Sequence, residues 1–281
     1  MLDNTLKTIK YPFRPVYYEL QSRFARPFGG RALDFYFLST GRCGTRYIAR
    51  VLDLASNAIV YHEPNPSAYE DCRRKTDEYF RNPESIKNTD YSRYPMLRRK
   101  MRINASIQTK IYGETANLNY PFAVIFHSAI PNRVKLLHLI RNPVDCCRSI
   151  IRVESDEYGY GFARHRAKSL LERKGDLDRA ISVYTKITEM IRVQFECIDD
   201  PSVCKVVRVE DTSVELFKEL YDFLELEGFD ADKVNRLIND KSDPVRHSHM
   251  ARMDKRGIPD IDEHDIEYIK KRTEGIQELG G

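Results

Sequence analysis

The stretch Ser39-Thr40-Gly41-Arg42-Cys43-Gly44-Thr45-Arg46 decides the fold of this chain. It follows a short apolar run, Leu33–Leu38, and precedes residues with the apolar spacing of a helix. This pattern predicts a strand, a glycine-containing loop and the start of a helix. At such a junction several backbone N–H groups point towards one position, and the helix dipole adds partial positive charge there. The loop and its arginines therefore predict a phosphate-binding site.

Outside this loop, apolar runs of strand length alternate with helical patterns. The alternation predicts an α/β fold in three layers, with a mainly parallel sheet between helices. The expected strands are Leu33–Leu38, Ala58–Tyr61, Ile107–Tyr112, Val134–Ile140 and Val203–Val209. Helices are expected after Gly44, after Asn142, and at about 177–198, 214–224 and 262–273. Residues 67–104 have no clear apolar stripe, and we expect them to form helices and loops over one end of the sheet.

Length and composition indicate one globular domain over residues 1–281, with peripheral segments at 1–30 and 241–281. The chain is 41% hydrophobic and 31% charged, as in a soluble protein. Its net charge of +4 is too small to indicate a nucleic-acid partner. No apolar run approaches the ~18–20 residues of a membrane span, and the N-terminus lacks the apolar core of a signal peptide. A cytoplasmic location without a membrane partner is therefore expected.

The cysteines and glycines exclude several common sites. The six cysteines have irregular spacing and form no CxxC pair, so neither a disulfide framework nor a metal site is expected. Gly41 and Gly44 lie three residues apart and are followed by Thr45-Arg46, where a magnesium-nucleotide loop carries Lys-Ser/Thr. Nor does the loop match the G-x-G-x-x-G pattern of dinucleotide folds. It suits a terminal phosphate, with Arg42 supplying the positive charge.

Three elements of the chain resemble those of the sulfotransferases that use PAPS, 3′-phosphoadenosine 5′-phosphosulfate. The first is Arg42-Cys43-Gly44-Thr45-Arg46, with Cys43 at the usual serine. The second is Arg141-Asn142-Pro143 at the end of a strand, with Ser149 eight residues after Arg141. The third is Arg208-Val209-Glu210-Asp211. They occur in the family's order, and the resemblance covers roughly residues 33–226.

The resemblance implies roles for the cofactor-binding residues. Arg42 would stabilise the leaving 5′-phosphate, which the backbone of residues 43–45 and the Thr45 hydroxyl would hold. Arg141 and Ser149 would bind the 3′-phosphate. Arg46 would add a second cation or be a surface arginine, and an adenine would stack on Tyr or Phe, since the chain has no Trp. The full implied set is Thr40, Gly41, Arg42, Cys43, Gly44, Thr45, Arg46, Arg141, Ser149, Arg208, Lys255, Arg256 and Gly257.

A hydroxyl acceptor needs a general base. Glu63, in His62-Glu63-Pro64 after the second strand, is the first choice, because related glycan and protein sulfotransferases place a glutamate there. His127, and less so His138, is the alternative, since the steroid and phenol enzymes use a histidine. Glu114 is a further candidate for the base. The candidates for acceptor binding are Glu63, Glu114, Glu154 and Asp156, although an acidic run is more often a solvated loop. The basic run at 98–102 is interpreted as an exposed helix face.

Taken together, the sequence predicts transfer of a sulfuryl group from PAPS to a hydroxyl or amine of a small molecule such as a natural product, by in-line displacement. The products would include PAP, and no metal would be required. A monomer or homodimer is expected. Two alternatives stay open: a magnesium-dependent nucleotide kinase or other phosphotransferase, and a non-catalytic nucleotide-binding protein of the same fold.

Overall fold

The computed structural model describes residues 33–64, 68–106, 110–130, 132–155, 166–173, 175–239 and 261–276. The predicted peripheral segment 1–30 lies outside these ranges, and segment 241–281 is described only at 261–276. Four of the predicted site residues also lie outside them, namely Asp156, Lys255, Arg256 and Gly257.

Five parallel strands form one sheet in the order β2-β3-β1-β4-β5. They are β1 Leu33–Leu38, β2 Ala58–Tyr61, β3 Ile111–Glu114, β4 Val134–Ile140 and β5 Cys204–Arg208. All of β1 and β3 and most of β4 are buried, as expected for a parallel sheet covered on both faces. The predicted α/β fold with a parallel sheet flanked by helices is confirmed.

The predicted strand boundaries agree closely except at β3. The β3 prediction was wrong at both ends, because the strand begins at Ile111, after a bend at Lys110, and continues through Gly113 and Glu114. Glu114 pairs with Tyr36 of β1 and Tyr61 of β2, so its backbone is fully part of the sheet. A charged residue that ends an apolar run in the sequence can remain in a buried strand when its side chain has partners inside the protein.

The helices lie between and beside the strands. They are α1 Thr45–Leu52, α2 Tyr69–Arg81, α3 Pro95–Ser106, α4 Ala123–Ala129, α5 Pro143–Glu154, α6 Asp176–Ile198, α7 Val214–Phe223, α8 Ala231–Asn239 and α9 Glu263–Thr273. Asn142 caps α5 as predicted, its side-chain oxygen accepting from the N–H groups of Val144 and Asp145 at 3.0 and 3.4 Å. None of the described helices is both long and apolar enough to cross a bilayer.

Helices α2 and α3 make the segment before β3 more buried than its polar sequence indicates. Tyr79, Tyr94 and Leu97 are core residues there. Of the basic run, Arg98, Arg99 and Arg102 are exposed as predicted. Lys100 is the exception, since only 3% of it is exposed. It extends inward to Glu114, and this contact places an ion pair beneath the end of β3.

The strand order determines where a ligand can bind. From β1 the chain crosses to β2 at one edge of the sheet, whereas from β4 it crosses to β5 at the other edge. The connections after the adjacent strands β1 and β4 therefore leave in opposite directions. Such a switch point opens a crevice at the carboxyl ends of the two strands. The loops at this crevice are Ser39–Gly44 and Arg141–Asn142.

Candidate active site

The loop after β1 has an unusual backbone conformation. Gly41, Arg42 and Gly44 all have positive φ, at 80°, 61° and 74°. Glycine adopts this conformation without cost, but an arginine does so only where the surrounding structure enforces it. Gly44 is also the N-cap of α1, so the loop leads directly into the helix N-terminus. Backbone turns of this kind, followed by a helix start, form concave anion-binding sites.

The loops after β1 and β4 are joined by the side chains of two arginines. Arg42 Nε donates a hydrogen bond to Ser149 Oγ at 3.2 Å. Arg141 Nη1 donates to the backbone oxygen of Arg42 at 2.9 Å, and Tyr184 Oη donates to the backbone oxygen of Arg141 at 3.1 Å. Arg42 was predicted from the first motif, and Arg141 and Ser149 from the second, and the fold brings the two motifs into direct contact.

The third motif lies beside the second. Glu210 Oε1 accepts a hydrogen bond from the backbone N–H of Asn142 at 2.7 Å. Val209 packs near Gly44, since a Cβ added to that glycine would lie 3.8 Å from the Val209 side chain. Arg208, the last residue of β5, is half-buried at the same edge of the sheet. The three motifs therefore occupy the carboxyl ends of β1, β4 and β5.

Arg166 supports the loop from inside the protein, and no motif in the sequence marked it as part of the site. Only 4% of Arg166 is exposed, and its Nη2 donates to the backbone oxygen of Thr40 at 3.0 Å. Its Nε and Nη2 also bind the two carboxylate oxygens of Glu154 at 2.9 and 2.7 Å. Glu154, predicted for acceptor binding, is the counter-ion of this arginine, and its role towards an acceptor stays a prediction.

The guanidinium of Arg42 lies among charged groups. Burial lowers its pKa from the ordinary value, and the carboxylates of Glu154 and Glu63 oppose that effect. The neighbouring charge of Arg166 acts in the same direction as burial. Since an arginine with such carboxylates nearby keeps its proton, the loop has a permanent positive charge beside its N–H groups.

Glu63 and His62 follow β2 on the other side of the loop. Glu63 is exposed and has a φ of 49°, which makes it another non-glycine residue in a strained conformation. The Nδ1 atom of His62 lies 3.1 Å from the backbone oxygen of Thr115. Burial lowers the pKa of His62, so its imidazole is neutral near pH 7 and can donate from Nδ1.

Glu114 does not face an open pocket, which corrects its predicted role in acceptor binding. Its side chain is fully buried, and Lys100 forms an ion pair with it. Asn119 Nδ2 donates to Oε1 at 3.0 Å, and Tyr112 Oη donates to Oε2 at 3.2 Å. Both carboxylate oxygens are therefore occupied inside the protein.

His127 and His138, the two histidines considered as alternative general bases, lie away from the loop after β1. His127 is in the last turn of α4, which ends before β4 begins, and it interacts with Asp200, which precedes β5. It is therefore at the amino edge of the sheet, opposite the loop, and its assignment to the site is corrected. His138 is buried in β4 against the ring of Phe195, and burial lowers its pKa to about 3.

The remaining predicted residues of the loop divide by exposure. Arg46 and Gly44 are exposed, with Arg46 close enough to His62 to act on its charge. Thr40, Cys43 and Thr45 are buried. The resulting surface has the loop N–H groups with Arg42 and Arg46 on one side. On the other side it has the carboxylate of Glu63 and the neutral imidazole of His62. Such an arrangement can bind an anionic group and stabilise negative charge that develops on it.

Comparisons with known proteins identify the architecture. No protein-family model matches the chain, and no curated protein matches it in sequence. A solved sulfotransferase from Mycobacterium tuberculosis superposes with a TM-score of 0.51 and 11% identity, over 92% of this chain and 82% of that chain. The chain has the sulfotransferase fold. A sulfotransferase from Alicyclobacillus acidocaldarius is also similar, with a TM-score of 0.44 and 18% identity over 88% and 95% of the two chains.

Proposed function

We propose that this protein is a PAPS-dependent sulfotransferase that modifies a hydroxyl or amine of a small molecule. The observation that carries the proposal is the junction of two anion-binding elements, in which Arg42 bonds to Ser149 and Arg141 bonds to the Arg42 carbonyl. A nucleotide with phosphates at two positions matches two adjacent cationic sites. Two separate guanidinium groups, a serine hydroxyl and a positive-φ loop form the donor set that such a ligand needs.

When bound, PAPS would supply an activated sulfuryl group whose transfer leaves PAP. Arg42 and the N–H groups of residues 43–45 would stabilise the negative charge that grows on the leaving phosphate oxygen. Arg141 and Ser149 would hold the 3′-phosphate, which distinguishes PAP from AMP. Arg46, in the first turn of α1, and Arg208, which pairs with Ile140 at the end of β4, would add positive charge. Because these groups are positioned before the ligand arrives, they need no reorganisation during the reaction.

On the acceptor side, Glu63 would accept the proton of the attacking hydroxyl or amine. Its exposure leaves it accessible to an acceptor, and its electrostatic interaction with Arg42 indicates that it lies near the donor site. The neutral imidazole of His62, held by Thr115, would orient the same acceptor. A cytoplasmic location and a monomeric or homodimeric state remain predictions, as do the roles of Asp156, Lys255, Arg256 and Gly257.

The function is tested by incubating the purified protein with isotopically labelled PAPS and a panel of hydroxyl and amine acceptors. For an accepted substrate, Glu63→Gln should lower kcat by about 10²- to 10⁴-fold, because it removes the proton acceptor. The KM for PAPS should change little. Glu70→Gln, an exposed glutamate on α2, is the matched control and should keep normal turnover. Normal turnover in Glu63→Gln would remove Glu63 from the mechanism.

The proposed 3′-phosphate site predicts a selective binding defect. Arg141→Ala should weaken PAP binding by about 10- to 100-fold, since a charge-assisted hydrogen bond contributes ~1.5–3 kcal/mol. Binding of AMP, which has no 3′-phosphate, should change much less. Titration calorimetry of both nucleotides with wild type and variant measures the difference. An equal loss for PAP and AMP would mean that Arg141 only supports the loop through the Arg42 carbonyl.

A further inference from the structure

Three side chains meet at one carbonyl group inside the phosphate loop. The backbone oxygen of Gly41 lies 3.0 Å from Thr40 Oγ1, 3.2 Å from Cys43 Sγ and 3.5 Å from Cys146 Sγ. Thr40 and Cys43 belong to the loop, whereas Cys146 is in the first turns of α5. These donors help to hold Gly41 in its positive-φ conformation and tie the loop to α5.

The two sulfur atoms are close to each other as well as to the carbonyl. Each lies 3.3 Å from Thr40 Oγ1, and both lie within 3.5 Å of the same Gly41 carbonyl oxygen. Both residues are buried, with 1% and 0% exposure. The two thiols meet from separate elements of the fold, inside the loop that would bind the ligand, and neither thiol has a role in the proposed reaction.

The two thiols differ in acidity. The pKa of Cys43 is raised, because of its interaction with the Cys146 sulfur and its burial. The pKa of Cys146 is lowered, because its interactions with Cys43, Thr40, Arg141 and Arg166 favour the thiolate more than burial disfavours it. Since a thiolate is the reactive form of cysteine, Cys146 is the nucleophile of the pair and Cys43 is the second, resolving thiol.

We propose that Cys43 and Cys146 are a redox-active pair, which a peroxide converts into a disulfide that loosens the phosphate loop and weakens anion binding. The Cys146 thiolate attacks one oxygen of hydrogen peroxide, which forms a sulfenic acid and releases hydroxide, protonated to water. The sulfur of Cys43 then attacks the sulfenic sulfur, forming the S–S bond and releasing a second water. The two thiols together lose two electrons, and these electrons reduce one hydrogen peroxide to two waters.

The effect on the loop follows from the lost hydrogen atoms. A disulfide has no S–H group, so the Gly41 carbonyl keeps Thr40 and loses both sulfur donors. Bond formation also draws Cys43 towards α5, and its backbone N–H is one of the groups that would hold a phosphate. A bound anion would conversely hold Cys43 in place and disfavour the disulfide form at equilibrium, because coupling between two equilibria is reciprocal.

The test treats the full-length protein with a small excess of hydrogen peroxide, then blocks the remaining thiols and maps the peptides by mass spectrometry. The expected product is a cross-linked peptide pair containing Cys43 and Cys146, which dithiothreitol reverses. Amide hydrogen exchange of a peptide covering residues 39–46 should become about tenfold faster on oxidation, equivalent to ~1.4 kcal/mol and to loss of a hydrogen bond of ordinary strength.

Matched variants separate this pair from the other cysteines. Cys146→Ser keeps a hydroxyl at the site but cannot form the disulfide, so peroxide should leave its loop exchange unchanged. Cys147→Ser, at the adjacent buried cysteine, and Cys197→Ser, at the exposed one, should still give the cross-link. Free thiols at both Cys43 and Cys146 after oxidation, or a cross-link without faster exchange, would overturn the proposal. Neither readout uses PAPS, so the result is independent of the proposed donor.

Discussion

Arg42→Ala is expected to lower kcat for sulfuryl transfer by about 10²- to 10³-fold, as does removal of one donor to a developing negative charge in other enzymes. The reason is that its guanidinium lies beside the loop N–H groups, fixed by Ser149 at 3.2 Å. Its permanent charge would act most strongly as charge grows on the leaving phosphate. The ground-state affinity for PAP should fall much less than kcat. Steady-state kinetics with varied PAPS, together with calorimetry of PAP, separate the two quantities.

One companion variant separates the effect of the Arg42 guanidinium from that of the loop backbone, and a second is a control. Arg42 has a φ of 61°, so alanine keeps the strain of that conformation, whereas Arg42→Gly relieves it. Both should lose the same catalytic factor if the side chain is what matters. Arg50→Ala, at an exposed arginine of α1, should remain fully active. A glycine variant with near-normal kcat would show that only the loop conformation is needed.

Lys100→Met is expected to lower the free energy of unfolding by about 3–5 kcal/mol, the usual cost of leaving a buried charge without its partner. Lys100 and Glu114 are 3% and 0% exposed, and no bulk water can replace the ammonium group. Lys100 Nζ also donates to Asn119 Oδ1 at 3.1 Å, so the substitution breaks a second contact. Chemical denaturation monitored by circular dichroism measures the loss.

The double variant Lys100→Met, Glu114→Gln is the control for this prediction. It removes both charges and keeps an amide that Asn119 and Tyr112 can still contact. It should recover a large part of the lost stability, since replacing both partners of a buried pair costs less than removing one. A double variant no more stable than Lys100→Met would indicate that lysine packing, rather than charge pairing, stabilises this region.

The parts of the fold that the sequence predicted well are those with local causes. The apolar run of β1, the glycines after it and the Asn142-Pro143 helix start each specify their own structure over a few residues. The carboxyl ends of parallel strands lie at the same edge of a sheet. The motifs that follow β1 and β4 could therefore also be expected to lie together. Their contact through Arg42, Arg141 and Ser149 agrees with that expectation.

The parts that sequence reasoning missed depend on contacts between distant residues. Arg166 reaches the Thr40 carbonyl from a segment 126 residues away, with no local motif to mark it. Lys100 stands in a run of exposed arginines, and only its position on α3 turns it inward to Glu114. His127 was assigned by residue type, but the direction of α4 carries it to the opposite edge of the sheet.

The central claim, that the loops after β1 and β4 form one binding site for a nucleotide with two phosphate positions, is tested most directly by titration calorimetry of PAP without added metal. AMP and magnesium-ATP serve as the comparison ligands. PAP should bind at least about tenfold more tightly than AMP, because Arg141 and Ser149 would add a charge-assisted contact to the 3′-phosphate. EDTA should leave the affinity for PAP unchanged. No binding of PAP, or tighter binding of magnesium-ATP than of PAP, would contradict it.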